Sequence, residues 1–127
     1  VLAIFRCESD DRTAADRAIG AARELQAQLA AANEERGRTG KPAIRCGIAL
    51  HLGPVMYGNI GSPERLDFTV IGPAVNLVSR LAQLCGPLGE PVVVSAEAAA
   101  AASIATRALG RHAFKGIAGE REAFAPS

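Results

Sequence analysis

Between Thr13 and Glu35, Ala15, Ala18, Ile19, Ala22, Leu25 and Leu29 recur at spacings of three and four. That spacing predicts one long helix with a single apolar stripe, and such a stripe has to be buried against another layer. Asp10 or Asp11 is placed to cap its start. The segments around it are too short and too continuously apolar to be further long helices. Val1–Phe5, Ala43–Leu52, Val55–Ile60, Leu66–Ile71 and Pro91–Val94 all read as strands or extended segments. Gly53-Pro54 is expected to turn the second of these back on the third as a hairpin. A second helix is expected from Ala74 to about Leu84, with Pro73 at or near its first position. Ser95 is placed to cap an Ala-rich helix ending near Ser103. The tail from Ala108 to Phe124 reads as a hairpin around Lys115–Gly119. The order predicts an α+β sandwich, with a mostly antiparallel sheet and helices packed on one face.

Composition narrows the function classes. Hydrophobic residues make up 49% of 127 residues, and aromatics only 4% with no Trp, so the core is expected to be Ala, Val, Ile and Leu. Fourteen basic residues against thirteen acidic ones leave a net charge of +1. That balance provides no field for nucleic acid or an anionic membrane. No apolar run approaches the roughly 20 residues that span a bilayer. Cys7, Cys46 and Cys85 form no Cys-x-x-Cys pair. They are expected to be buried, reduced thiols of a cytoplasmic protein. His51 and His112 are expected to be hydrogen-bonded packing residues. The chain opens on an apolar pentapeptide without an initiator Met, which suggests a segment of something longer.

The predicted helix from Ala74 carries the chemistry. Ala74, Leu77, Val78 and Leu81 form its apolar stripe, while Asn76 and Arg80, four apart, project together on another side with Ser79 beside them. An amide and a guanidinium one turn apart can grip a sugar oxygen and a charged phosphate. Spacing alone also fits an ordinary solvated face.

The flanking motifs bear on that choice. Gly47–Gly61 contains a glycine-bearing run ending Gly58-Asn59-Ile60-Gly61. It is followed by Asp67-Phe68-Thr69-Val70-Ile71-Gly72, then Val75-Asn76 and Ser79-Arg80, and finally Phe114-Lys115-Gly116. In this order the motifs resemble the class III adenylate and guanylate cyclases over nearly the whole chain. The resemblance implies a ferredoxin-like sandwich with a C-terminal hairpin, residues 1–127 being the C-terminal part of one catalytic domain. It implies an adenylate cyclase domain of a signalling protein, converting ATP to cyclic AMP and pyrophosphate. Asn76 would orient the ribose, and Arg80 would stabilise charge on the α-phosphate. Thr69 would read the purine edge, favouring ATP over GTP, and Lys115 would hold the triphosphate. A solvated turn lysine fits that last position too. Pro73 departs from the Asp common there in the family.

The family's Mg²⁺ (or Mn²⁺) aspartates correspond to positions upstream of Val1, and Asp10, Asp11 and Asp16 do not match them. The resemblance therefore implies a second cyclase domain as a homodimer partner, and an inactive fragment when alone. A non-catalytic cyclase-like dimerisation or regulatory module is the alternative. An unrelated ferredoxin-like binding domain predicts no purine nucleotide binding. A diguanylate cyclase lacks support, because the hairpin reads Leu52-Gly53-Pro54-Val55.

Overall fold

The structure, a computed structural model, describes residues 1–62 and 65–127, without the side chains of 57, 59–62 and 65–69. The long helix is present as α1, Asp11–Arg38. Asp10 is its cap, with Oδ1 accepting the Thr13 N–H at 2.6 Å. Asp11 in the first turn and Arg36 and Arg38 in the last oppose the helix dipole favourably. Its buried face is Ala14, Ala15, Ile19 and Ala22, whereas Leu25 remains 47% exposed.

After α1 come β1 (Ile48–Leu50), β2 (Met56–Ser62), β3 (Arg65–Ile71), α2 (Pro73–Ala82), α3 (Cys85–Leu88), β4 (Val92–Ser95), α4 (Ala96–Ala101), β5 (Thr106–Ala113) and β6 (Glu120–Pro126). Four strands form one sheet in the order β1-β4-β6-β5. β1 runs parallel to β4, with Ile48 opposite Val92, and the other two pairings are antiparallel. The terminal hairpin is β5–β6. Ser95 caps α4 as expected, its Oγ accepting the Ala98 N–H at 3.1 Å.

Several expectations are corrected. Val1–Phe5 is not a strand; residues 1–7 carry no regular structure, and Leu2 and Ile4 are about half exposed. A β-branched or apolar run becomes a strand only where a neighbour completes its ladder, and this run lies along the apolar side of α1 instead. The strand expected at Ala43–Leu52 shrinks to three residues. Amide side chains of α1 take its backbone groups first: Asn33 both accepts from the Ile44 N–H and donates to the Ile44 carbonyl, each at 2.8 Å. Gln26 donates to the Cys46 carbonyl, and Arg36 to that of Pro42. The hairpin expected across Gly53-Pro54 does not form. β2 pairs with β3 in a separate two-stranded sheet, Met56 opposite Ile71. Cys7 and Cys46 are exposed, and only Cys85 is buried.

The helices are divided between two faces of the four-stranded sheet rather than forming one layer. Successive strand residues point to opposite sides. Val93, Ala123 and Ala49 therefore meet Leu77, Leu81 and Cys85 from α2 and α3. Val92 and Val94, with Ile48, Leu50 and Phe124, meet Ala22 of α1 and Ala98 of α4. All four residues of β4 are buried, as expected of a strand covered on both sides.

Candidate functional site

α2 begins at a backbone position that only glycine adopts readily. Gly72 has φ +144°, and a Cβ there would sit 3.5 Å from the Pro54 carbonyl. Pro73 follows at the start of the helix, where its missing N–H costs nothing. The Gly72 carbonyl then accepts the N–H groups of Val75 and Asn76. Leu77 and Leu81, 7% and 0% exposed, press one side of α2 into the core. At about 3.6 residues per turn the positions rotated off that side, Asn76 and Ser79, are left exposed and Arg80 partly so.

The opposite wall comes from the β5–β6 turn. Gly116, with φ +82°, and the Ile117 N–H to Phe114 carbonyl bond at 3.1 Å shape that turn. Phe114 and Ile117 pack on the same core cluster as Leu77 and Leu81. Both walls therefore stand on one foundation. Between them lies a cleft of about 270 Å³ lined by Asn76, Ser79, Arg80, Lys115, Gly116 and Ile117. Residues 76 and 115 are brought together across nearly forty positions of sequence. Among the described residues, Arg80 and Lys115 enter no ion pair. Two uncompensated cations beside an amide and a hydroxyl make a surface suited to an anion with polar substituents.

Thr69 lies in β3 opposite Gly58; its side chain is outside those described, as are those of Asn59, Ile60, Asp67 and Phe68. Among the described residues the cleft offers no carboxylate, and its two cations repel a divalent cation; this donor set does not fit Mg²⁺ or Mn²⁺. Among the described residues no three His, Cys, Asp or Glu side chains gather as a metal site.

A second, larger groove of about 950 Å³ runs between α1, β1 and the apolar flank of α2, with residues 1–7 along it. Ser79 borders both spaces. His112 Nε2 donates to the Leu109 carbonyl, 2.9 Å away, the packing role expected of it. His51 is more elaborate. Its Nδ1 lies 2.9 Å from Ser95 Oγ and 3.5 Å from Glu97 Oε2. This is not a Ser-His-Glu triad: both partners approach the same nitrogen, and Ser95 is buried and engaged as a cap. Sequence spacing could not reveal the cluster, because His51 and Ser95 are 44 positions apart.

The architecture is that of an α+β domain, a four-stranded sheet with helices on both faces. A guanylyl cyclase crystal structure superposes with a TM-score of 0.73 over 94% of this chain and 61% of the other, at 22% identity. An adenylyl cyclase from P. aeruginosa gives 0.68 over 96% of this chain and 61% of the other, at 23% identity. At those identities the likeness is one of fold. In sequence, an adenylate cyclase of Anabaena cylindrica is 40% identical over 84 residues, 63% of this chain. An uncharacterised Mycobacterium tuberculosis protein is 39% identical over 100 residues, and adenylate cyclase 1 of Rhizobium meliloti 30% identical over 95. The matches span 17%, 17% and 14% of those three proteins. No protein-family model matches the chain. The chain belongs to the class III nucleotidyl cyclase domain family. No helix among the described residues is long and apolar enough to cross a membrane.

Proposed function

We propose that residues 1–127 are the C-terminal part of one cyclase catalytic domain and supply the nucleotide-gripping half of an adenylate cyclase site. The observation that carries this reading is the opening of Asn76, Arg80 and Lys115 onto one cleft. In the proposed reaction the ribose 3′-oxygen attacks the α-phosphorus of ATP, the bond to the β-phosphate oxygen breaks, and cyclic AMP and pyrophosphate result. The Asn76 amide holds the ribose in line. The Arg80 guanidinium meets charge growing on the α-phosphate oxygens, and fixed charge of this kind is usually the largest catalytic term. Lys115 holds the terminal phosphates as a flexible point charge. Thr69 reads the adenine edge.

A cleft of about 270 Å³ is smaller than the roughly 300–1,000 Å³ of a site that encloses such a ligand alone. That supports completion by a second copy in a homodimer. The carboxylates for Mg²⁺ or Mn²⁺ then come from residues outside this chain. In the parent enzyme, Arg80→Ala is expected to lower kcat about 100-fold or more with little change in KM for ATP. Equal rates would remove Arg80 from its role. Replacing Thr69 is expected to change the ATP-to-GTP ratio of kcat/KM, and an unchanged ratio would remove it from base reading. The isolated 127 residues are expected to release no cyclic AMP; turnover by them would refute the half-site. A parent that neither binds nor converts ATP would be a non-catalytic dimerisation or regulatory module.

A further inference from the structure

His51 sits where three parts of the molecule meet. One edge of its ring faces the Ser95 hydroxyl, which also caps α4. Its other edge rests on Gly53: a Cβ at that glycine would lie 2.9 Å from His51 Nε2 and 3.1 Å from the Ala74 Cβ. Ala74 opens α2, the helix that bears Asn76 and Arg80. Only 9% of the imidazole side chain is exposed. The ring is therefore a wedge between the α4 cap and the turn on which the first residues of α2 lean.

We propose that His51 is a positioning residue for the Asn76–Arg80 cleft, a wedge whose protonation releases the Gly53–Ala74 contact and shifts the start of α2. The hydrogen bonds supply the reason. With neutral imidazole, the Ser95 hydroxyl accepts from the Ala98 N–H and donates to Nδ1, so the network assigns the ring proton to Nε2. Once both ring nitrogens carry protons, the buried Ser95 loses its acceptor. The carboxylate of Glu97, half exposed at 3.5 Å, then draws the ring outward, away from Ser95 and Gly53. Among the described residues, the charged groups acting on the ring are Glu97 on α4 and Arg121 on β6. Burial holds the imidazole below its usual range, Glu97 opposes that, and Arg121 adds to it. The wedge is accordingly in place at neutral pH and released on acidification.

The consequence for nucleotide binding rests on the cyclase reading above; the displacement of α2 does not. The test is an NMR titration of the 127-residue protein from pH 8 to 5, following the His51 ring and the backbone amides of Gly53, Ala74 and Asn76. The expected result is one shared midpoint below about 6.5 for the ring and all three amides. Glu97→Gln is expected to move that shared midpoint lower still. His51→Gln is expected to flatten the amide curves. Should His51→Gln fail to fold, wild type and Glu97→Gln decide alone. Amides of Ala74 and Asn76 that stay flat, or follow a different midpoint, while the ring titrates overturn the wedge. So does a ring that stays neutral until the protein unfolds. Flat amides beside an Arg80-dependent parent enzyme reject the wedge and spare the cyclase reading. Coupled amides beside an Arg80→Ala parent of undiminished rate do the reverse.

Discussion

Truncating Leu81 tests whether the core and the cleft share a foundation. Leu81 is fully buried, and its neighbours include Val93 and Ala123, both 0% exposed and both fixed in the sheet. Leu→Ala substitutions cost about 2–5 kcal/mol, the larger values arising where surroundings cannot collapse into the cavity. Strand residues held by ladder bonds on each side relax poorly, so Leu81→Ala is expected to cost about 3–4 kcal/mol. At about 2.1 cal/mol/K per residue, the unfolding entropy of 127 residues is about 0.27 kcal/mol/K. The melting temperature should therefore fall by about 11–15 °C, read by circular dichroism at pH 7. Leu25→Ala is the control: its side chain is 47% exposed, and a surface change within about 0.5 kcal/mol moves the melt by about 2 °C. A loss under about 4 °C for Leu81→Ala, or equal losses for the two variants, would refute the reasoning.

Two further perturbations probe other joints. Gly47→Ala places a Cβ 2.7 Å from Cys85 Cβ and 3.0 Å from its Sγ; it should destabilise by about 1–3 kcal/mol in urea titrations, and an unmoved midpoint would show that the residue leading into β1 does not lie against Cys85. Asp16 accepts from both the N–H and the hydroxyl of Ser103, and these bonds, the hydroxyl foremost, hold its carboxyl below the usual range. Its stabilisation is thus complete above the unfolded value of about 3.9 and is lost as pH falls through the folded one. The stability gap between wild type and Asp16→Asn should shrink from pH 7 to pH 3; a constant gap would sink this assignment.

What was legible in the sequence was local. Asp10 three residues before Thr13, Pro73 opening α2 and Ser95 three before Ala98 announce helix starts through hydrogen bonds that span a single turn. The stripe of Leu77 and Leu81 marked the buried side of α2, and so left Asn76 and Arg80 facing outward. Strand partners were not legible, because a strand's partner is chosen by the whole sheet. β1 found β4, 44 positions away, and β2 found β3. Apolar content also failed to locate the thiols: Cys46 lies in a segment held against α1 through its backbone, which leaves the side chain in solvent. Lys115 joined the cleft through the packing of Phe114 and Ile117, a contact no spacing rule encodes.

The amide pair of Asn33 has a consequence for how these molecules meet one another in solution. Sheet margins with free N–H and C=O groups are templates for another chain, and long flat margins aggregate. β1 is the outer strand of its sheet among the described residues, but it is three residues long. The backbone leading into it already has both groups of Ile44 occupied by one side chain of α1. A helix thereby does what an added strand would do, and does it without offering a fresh margin of its own. Replacing Asn33 with Ala would return that stretch of backbone to the surface, where a neighbouring molecule could pair with it.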